Sequence, residues 1–378
     1  MKTLYRGVYR LLNSLSSTPA QGHAAKRLGN LSGFISGMIH KGKSHLPDLG
    51  SGLPQDIDAA SKTASAKRFV SNKWVDYTTH YLPYLSAFLV GLFSITSLDR
   101  GMVLVLDGSQ VGKHNACLMV SLVWRKRSIP LYWWVKTGSK GHFSAQNHVD
   151  VLREALEIIL PLLPAEVSVY VLGDGEFDGI DLQKLCIEKG CEYVLRTAAN
   201  TVLFEGPERF QARDILPDEG HDCASVKAVA FTEKQFRYVH LVCWHDPKHE
   251  EPIFLISNLD EARDIIAYYD LRYAIECLFK DIKSSSFNLH KTRLKDSQQV
   301  SNLIMIAALA FLVLVAFAVQ YDQEKWRKKV HRVRKDQKVC SFLVFALKLI
   351  AKFVADETEF SISFDLSKYL TQIYYIDQ

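Results

Sequence analysis

At 378 residues the chain is longer than one small core requires and suits two or three domains. With 48% hydrophobic and 23% charged residues it has a globular composition, which excludes wholesale disorder. The net charge of +5 is too small to identify a partner, but residues 321–338 hold eight Lys or Arg against three acids, so one basic strip carries the whole excess. Such a strip is either a solvated helix face or a polyanion-binding surface.

Residues 1–95 mix short amphipathic stretches with Gly, Ser and Pro breaks, including a loop-like segment over 45–67, and read as a helical N-terminal region. Its first residues lack an apolar run followed by a small-residue cleavage site, so no export signal is expected. At MVLVLDGSQ (102–110) a continuous aliphatic run predicts a buried strand with Asp107 near its C-terminal end. CLMVSLVWRK and IPLYWWVKTG predict two more strands, residues 149–163 a helix stopped by Pro164, and VSVYVLGDGEFDG (167–179) a second strand that runs into a carboxylate, Asp174. DLQKLCIEKG predicts a helix and EYVLRT a strand. Alternating segments such as VKAVAFT and FRYVHLVCW predict a small antiparallel insertion over 200–252, after which FLISNL (254–259) returns to a buried strand.

YDLRYAIECLFKDIK (269–283) predicts one amphipathic helix. On a 100° wheel Tyr269, Arg272, Glu276 and Lys283 fall at roughly 0°, −60°, −20° and −40°, a narrow polar stripe, with Leu271, Ile275, Leu278 and Ile282 nearly opposite. Residues 303–319 are all apolar; they are just long enough to cross a bilayer and equally suited to a helix buried in protein. A further packed helix is expected over 341–354. Seven cysteines lie scattered without CxxC spacing, as reduced thiols in a cytoplasm would. In CWHDPKHEE the Asp-Pro pair makes a turn, so Cys243, His245 and His249 are not expected to bind metal. DGSQVGKHN (107–115) fails as a phosphate loop: Gly108 and Gly112 are one residue too close, and His114 stands where a hydroxyl should bind the metal.

Two acids that each end a buried strand, and a third on a helix, suit phosphodiester chemistry. Two divalent metals about 3.5–4 Å apart activate the nucleophile and stabilise the leaving oxygen, and hard ions take carboxylate oxygen. Either aspartate alone is as readily a turn or helix cap. The spacing Tyr-x2-Arg-x3-Glu-x6-Lys, matched by Tyr269, Arg272, Glu276 and Lys283, is more specific, and with it the chain resembles a bacterial insertion-sequence DDE transposase of the insertion-sequence-four type over roughly residues 100–325. The resemblance implies an α/β, ribonuclease H-like catalytic core over 96–199 and 253–320, interrupted by the β-rich insertion at 200–252. A helical region (1–95) that binds DNA and a basic strip with C-terminal helices (321–378) would flank it.

The same resemblance implies that Asp107, Asp174 and Glu276 hold two Mg²⁺ ions, with Mn²⁺ as a substitute. Tyr269, Arg272 and Lys283 would hold DNA near the cleaved end, Arg196 would be an active-site arginine, and Trp244 would stack a flipped base. Lys325, Arg327, Lys328, Lys329 and Arg332 of the basic strip would contact the backbone. The implied partners are double-stranded DNA, as terminal inverted repeats and target, and a second copy of the chain in a DNA-bound homodimer; no nucleotide cofactor and no membrane are expected, and action is in the cytoplasm. Two other readings stay open on sequence: a ribonuclease H-like nuclease without strand transfer, and a membrane-anchored DNA-binding protein using 303–319.

Overall fold

The computed structural model describes residues 1–15, 20–125, 127–139, 141, 143–245, 250–330 and 342–369. Six helices come first: α1 (Lys2–Ser14), α2 (Gly22–Lys41), α3 (Leu46–Gly50), α4 (Ala59–Val70), α5 (Tyr77–His80) and α6 (Leu82–Phe93). The loop-like stretch 45–67 is thus largely helical. Its breakers act as helix starts, with Pro47 in the first turn of α3 and the Asp58 side chain accepting from Ser61 N at 2.8 Å to cap α4.

Strands β1 (Met102–Val111), β2 (Asn115–Trp124) and β3 (Arg127–Thr137) form an antiparallel meander, followed by α7 (Ala145–Ile159). The helix ends before Pro161, which has no amide to continue it, rather than at Pro164. Then come β4 (Val169–Gly173), α8 (Ile180–Glu188), β5 (Glu192–Thr197), β6 (Val202–Glu205), β7 (Glu208–Gln211), β8 (Cys223–Phe231), β9 (Phe236–Trp244) and β10 (Ile253–Ser257). All ten strands join one sheet in the order β3-β2-β1-β4-β5-β10-β9-β8-β6-β7, with β1, β4 and β5 mutually parallel. The inserted strands are antiparallel, as their alternation predicts, and they extend the central sheet edge to edge because β9 pairs with β10.

The chain closes with α9 (Ala262–Asp270), α10 (Tyr273–Lys280), α11 (Ser297–Tyr321), α12 (Glu324–Val330) and α13 (Phe342–Ala355). The apolar run 303–319 lies inside α11 and is buried along its whole length, packed against β3 and helices α2, α4, α6 and α13. Its polar positions are satisfied by protein: Asn302 Nδ2 donates to Val70 O at 2.9 Å and Gln320 Nε2 to Ser363 O at 2.7 Å. The N-terminal helices also pin the β3 edge. Pro130 sits at a bulge there, and the Tyr81 and Tyr77 hydroxyls donate to the carbonyls of Pro130 and Leu131 at 2.6 and 2.5 Å.

Three buried imidazoles, His80, His148 and His240, have pKa values held below 6.5, chiefly by burial. The unfolded chain therefore takes up protons first on acidification, and the stability they contribute is present above about pH 6.5 and lost as pH falls through the lower folded values. Asp178 and Asp281, raised from 3.8 by burial, act in the opposite sense from the carboxylate range upward. Urea midpoints are expected to fall from pH about 7 to about 5.5, and a flat profile would contradict this balance.

Candidate active site

The sheet register sets two acids side by side. Leu106 on β1 lies opposite Gly173 on the parallel strand β4, so the next residues, Asp107 and Asp174, follow from neighbouring strands spaced about 4.8 Å apart. Leu195 on β5 lies opposite Gly173 from the other side, which puts Arg196 next in the same row. Gly173 is required by packing: a Cβ there would come within 2.7 Å of the Phe177 Cβ, beneath the turn that carries Asp174. The Asp174 carboxylate accepts from Glu176 N at 3.0 Å, and Asp107, 5% exposed, accepts from Gly108 N at 2.7 Å.

The third acid comes from a helix that is not continuous. Between α9 and α10 the amides of Leu271, Arg272, Ala274 and Ile275 bond three residues back, and beyond α10 residues Asp281–Ser285 widen into a π-turn. Tightening across 268–275 shifts the ideal wheel. Tyr269 turns inward, at 6% exposed, while Leu271 is exposed at 38%; Ile275, Leu278 and Ile282 stay buried. Arg272, Glu276 and Lys283 remain on one side and line a cavity of about 570 Å³ together with Asp107 and Asp174.

Within that cavity Arg272 is the organising charge. It bonds Glu276 Oε1 through Nη2 and lies 3.9 Å from Asp107 Oδ2 through Nη1, with the Tyr269 ring 5.7 Å away. Burial acts to lower its pKa, but Tyr269, Glu276 and Asp107 outweigh this and raise it. Burial raises the pKa of the Tyr269 phenol, opposed by Arg272 and Arg196 and aided by Asp174. Lys283 Nζ donates to Ser109 Oγ at 3.1 Å, two residues beyond Asp107 on β1. The donor set suits a hard divalent cation, being three carboxylates and two serine hydroxyls, with no thiol among the described lining residues. In this arrangement Arg272 stands between two of the acids, and among the described residues no three His, Cys, Asp or Glu side chains form a metal-ligating group.

The cavity also contains residues the sequence reading passed over: Ser109, Lys280 and His290. Lys280 falls at about 20° on the same helical wheel and was findable there. Ser109 is marked only by lying two residues from Asp107 on a strand, and His290, whose Nδ1 bonds the Lys283 carbonyl, carries no sequence signal at all. A second cavity of about 670 Å³ meets the first at Asp174 and is lined by Arg196, Arg213 and Leu216 among others.

Other expected site residues lie apart from the acids. Trp244 is 8% exposed at the end of β9, its backbone paired with Ile253 and Cys223, and its ring is packed in the core. In α12, Lys328 pairs with Glu324, and Lys325 and Lys329 lie over the Trp326 ring at 5.4 and 4.6 Å. Arg327 bonds the fully buried Asp322 and lies over Phe345, which gives it a structural attachment that the charge pattern did not reveal. Arg332, like His249, lies outside the described residues.

One cavity thus gathers a carboxylate midway along β1, where its pairing with β4 ends, another just past β4, a third acid on a covering helix and a cationic wall. Residues 118–313 match the family described as "Transposase DDE domain", more than half of the chain, and the protein belongs to that family of DNA-cleaving transposases. The match begins at β2, so Asp107 lies upstream of it. No curated protein sequence matches the chain. Among solved structures, endonuclease V of Ciona intestinalis bound to a 24mer DNA containing an inosine is similar at 17% identity over 49% of this chain and 84% of that one, with a TM-score of 0.28. A variant of it bound to a 23mer DNA is similar at 14% identity over 61% and 99%, also at 0.28. A likeness this slight defines no common fold.

Proposed function

We propose that this transposase cuts double-stranded DNA at the terminal inverted repeats of its element and joins the freed 3′-hydroxyl to target DNA, acting as a homodimer of the bacterial insertion-sequence-four type. The observation that carries the reading is the meeting of Asp107, Asp174 and Glu276 in one cavity, with Arg272 and Lys283 of the Tyr-Arg-Glu-Lys spacing on the same wall. The order β3-β2-β1-β4-β5, with β4 and β5 parallel to β1, supports a ribonuclease H-like core.

Asp107, Asp174 and Glu276 would hold two divalent ions, Mg²⁺ or Mn²⁺. Bound there, such ions activate an attacking hydroxyl and stabilise the leaving oxygen. The chain's own residues do the rest. Arg272 offsets part of the charge of Asp107 and Glu276, and its guanidinium can fork onto a phosphate in their place. Lys283, steadied by Ser109, lies two turns along from Glu276, about 10 Å, and suits a neighbouring phosphate. Arg196, beside Asp174 in the second cavity, suits the strand leaving the cut.

The test is cleavage and joining by the purified protein on a duplex carrying the inverted repeat that flanks its coding region. Both are expected with Mg²⁺ or Mn²⁺ and neither with chelator; metal-independent cleavage would end the proposal. Lys283→Ala is expected to weaken binding of that end about tenfold and to reduce the salt slope of binding by about one, measured by fluorescence anisotropy.

A further inference from the structure

We propose that the α2–α3 connection, the β1–β2 turn and the loop 286–296 together form a backbone-binding face for duplex DNA that continues outward from the catalytic cavity. It rests on DNA being the substrate, as proposed above, and assigns a place for the duplex beyond the cut.

The three segments are fastened to one another. Asn288 Nδ2 donates to Gly42 O at 3.0 Å, and Gly42, at φ +59°, is close enough that a Cβ would stand 3.1 Å from Ser286 O. On the other side Gly112, at φ +62°, approaches Thr292 so closely that a Cβ would stand 2.9 Å from its Cγ2, and Asn115 Nδ2 donates to Lys295 O at 3.2 Å. The glycine and lysine of the run that fails as a nucleotide loop thus belong to this junction.

What the junction presents is positive. Lys41, Lys43, Lys113, Lys291, Arg293 and Lys295 are all exposed, and none forms an ion pair with a described acid. The nearby acids are engaged: Asp48 with His45 at 3.7 Å, and Asp296 as the cap of α11, accepting from Gln299 N at 2.9 Å. Between the α2–α3 connection and the loop lies a cavity of about 650 Å³ lined by Ser44, His45, Thr63 and Lys291–Leu294. Ser44 is 2% exposed there, and its buried hydroxyl has no hydrogen-bond partner in the protein. Continuity with the active site runs through a single peptide: His290 lines the catalytic cavity and Lys291 lines this one. Cations spread over three segments match a row of phosphates along a duplex rather than one nucleotide.

The experiment uses the full chain and an arbitrary duplex of about 30 base pairs, roughly three helical turns, with the single strand of the same length alongside. For Lys291→Glu/Arg293→Glu/Lys295→Glu, duplex affinity is expected to fall at least about 100-fold near 50 mM salt, and the salt slope by about three. Lys41→Gln/Lys43→Gln, on the other segment, is expected to lower the slope by about two without altering circular dichroism. Unchanged affinity and slope in both variants overturn the assignment, as does equal loss on the single strand. If the unaltered protein binds the duplex but never cleaves, and the variants show these losses, the catalytic reading fails and this surface stands.

Discussion

Alanine at Asp107, Asp174 or Glu276 is expected to abolish DNA cleavage while binding of the DNA end persists. Each change should lower the cleavage rate by at least about 10³-fold, beyond the 10- to 100-fold typical of groups that only support a metal ligand. The expectation follows from geometry, since the three carboxylates share one cavity and its other charged wall residues, Arg272, Lys280 and Lys283, are cations that cannot replace them. Binding should persist, and for Glu276→Ala even strengthen, because removing the carboxylate frees Arg272 from its partner and removes a negative charge facing phosphate. Single-turnover cleavage and anisotropy on the same end-bearing duplex read the two effects separately. Cleavage that survives in all three variants would remove the basis of the assignment.

Arg327→Ala is expected to reduce stability by about 3–5 kcal/mol, because it leaves Asp322 charged and buried without its partner. Asp322 has no exposed surface, and one of its carboxylate oxygens has no hydrogen-bond partner in the protein, so it depends strongly on the bond from Arg327 Nε. The measurement is the urea midpoint at constant slope, and adding Asp322→Asn should recover much of the loss by removing the orphaned charge. Lys329→Ala, whose amine merely overlies Trp326, should leave the midpoint nearly unchanged. If Arg327→Ala weakened DNA binding with no loss of stability, the residue would be a backbone contact after all.

These two cases mark how far the sequence reaches. Aliphatic runs that reach an acid, and a helix with a fixed polar spacing, are local patterns; Asp107 and Asp174 could be singled out because burial of β1 and β4 demands continuous aliphatic runs that a carboxylate interrupts visibly, and Glu276 by its spacing from Tyr269, Arg272 and Lys283. Arg327 was legible only as one more cation in a basic strip, since its partner is identified by burial rather than by spacing. Trp244 was ambiguous for the same reason, an aromatic at a strand end being equally suited to stacking and to packing. The burial of Tyr269 was hidden by the wheel itself. An ideal 100° step holds only while every amide bonds four residues back, and here the chain tightens between α9 and α10.

Periodicity and apolar runs, being properties of adjacent residues, were enough to establish an α/β chain and the order of its central strands and helices, while the acids proposed for phosphodiester chemistry came with the resemblance and its Tyr-Arg-Glu-Lys spacing. Which of those residues meet depended on contacts between distant segments: the parallel register that aligns Leu106 with Gly173, the placement of α10 over β1, and the fastening of loop 286–296 to Gly42 and Gly112. Such contacts arise from burial and hydrogen bonding across the whole core, which one-dimensional spacing does not encode. The same packing decided that α11, long and apolar enough to cross a bilayer, is enclosed by the protein around it.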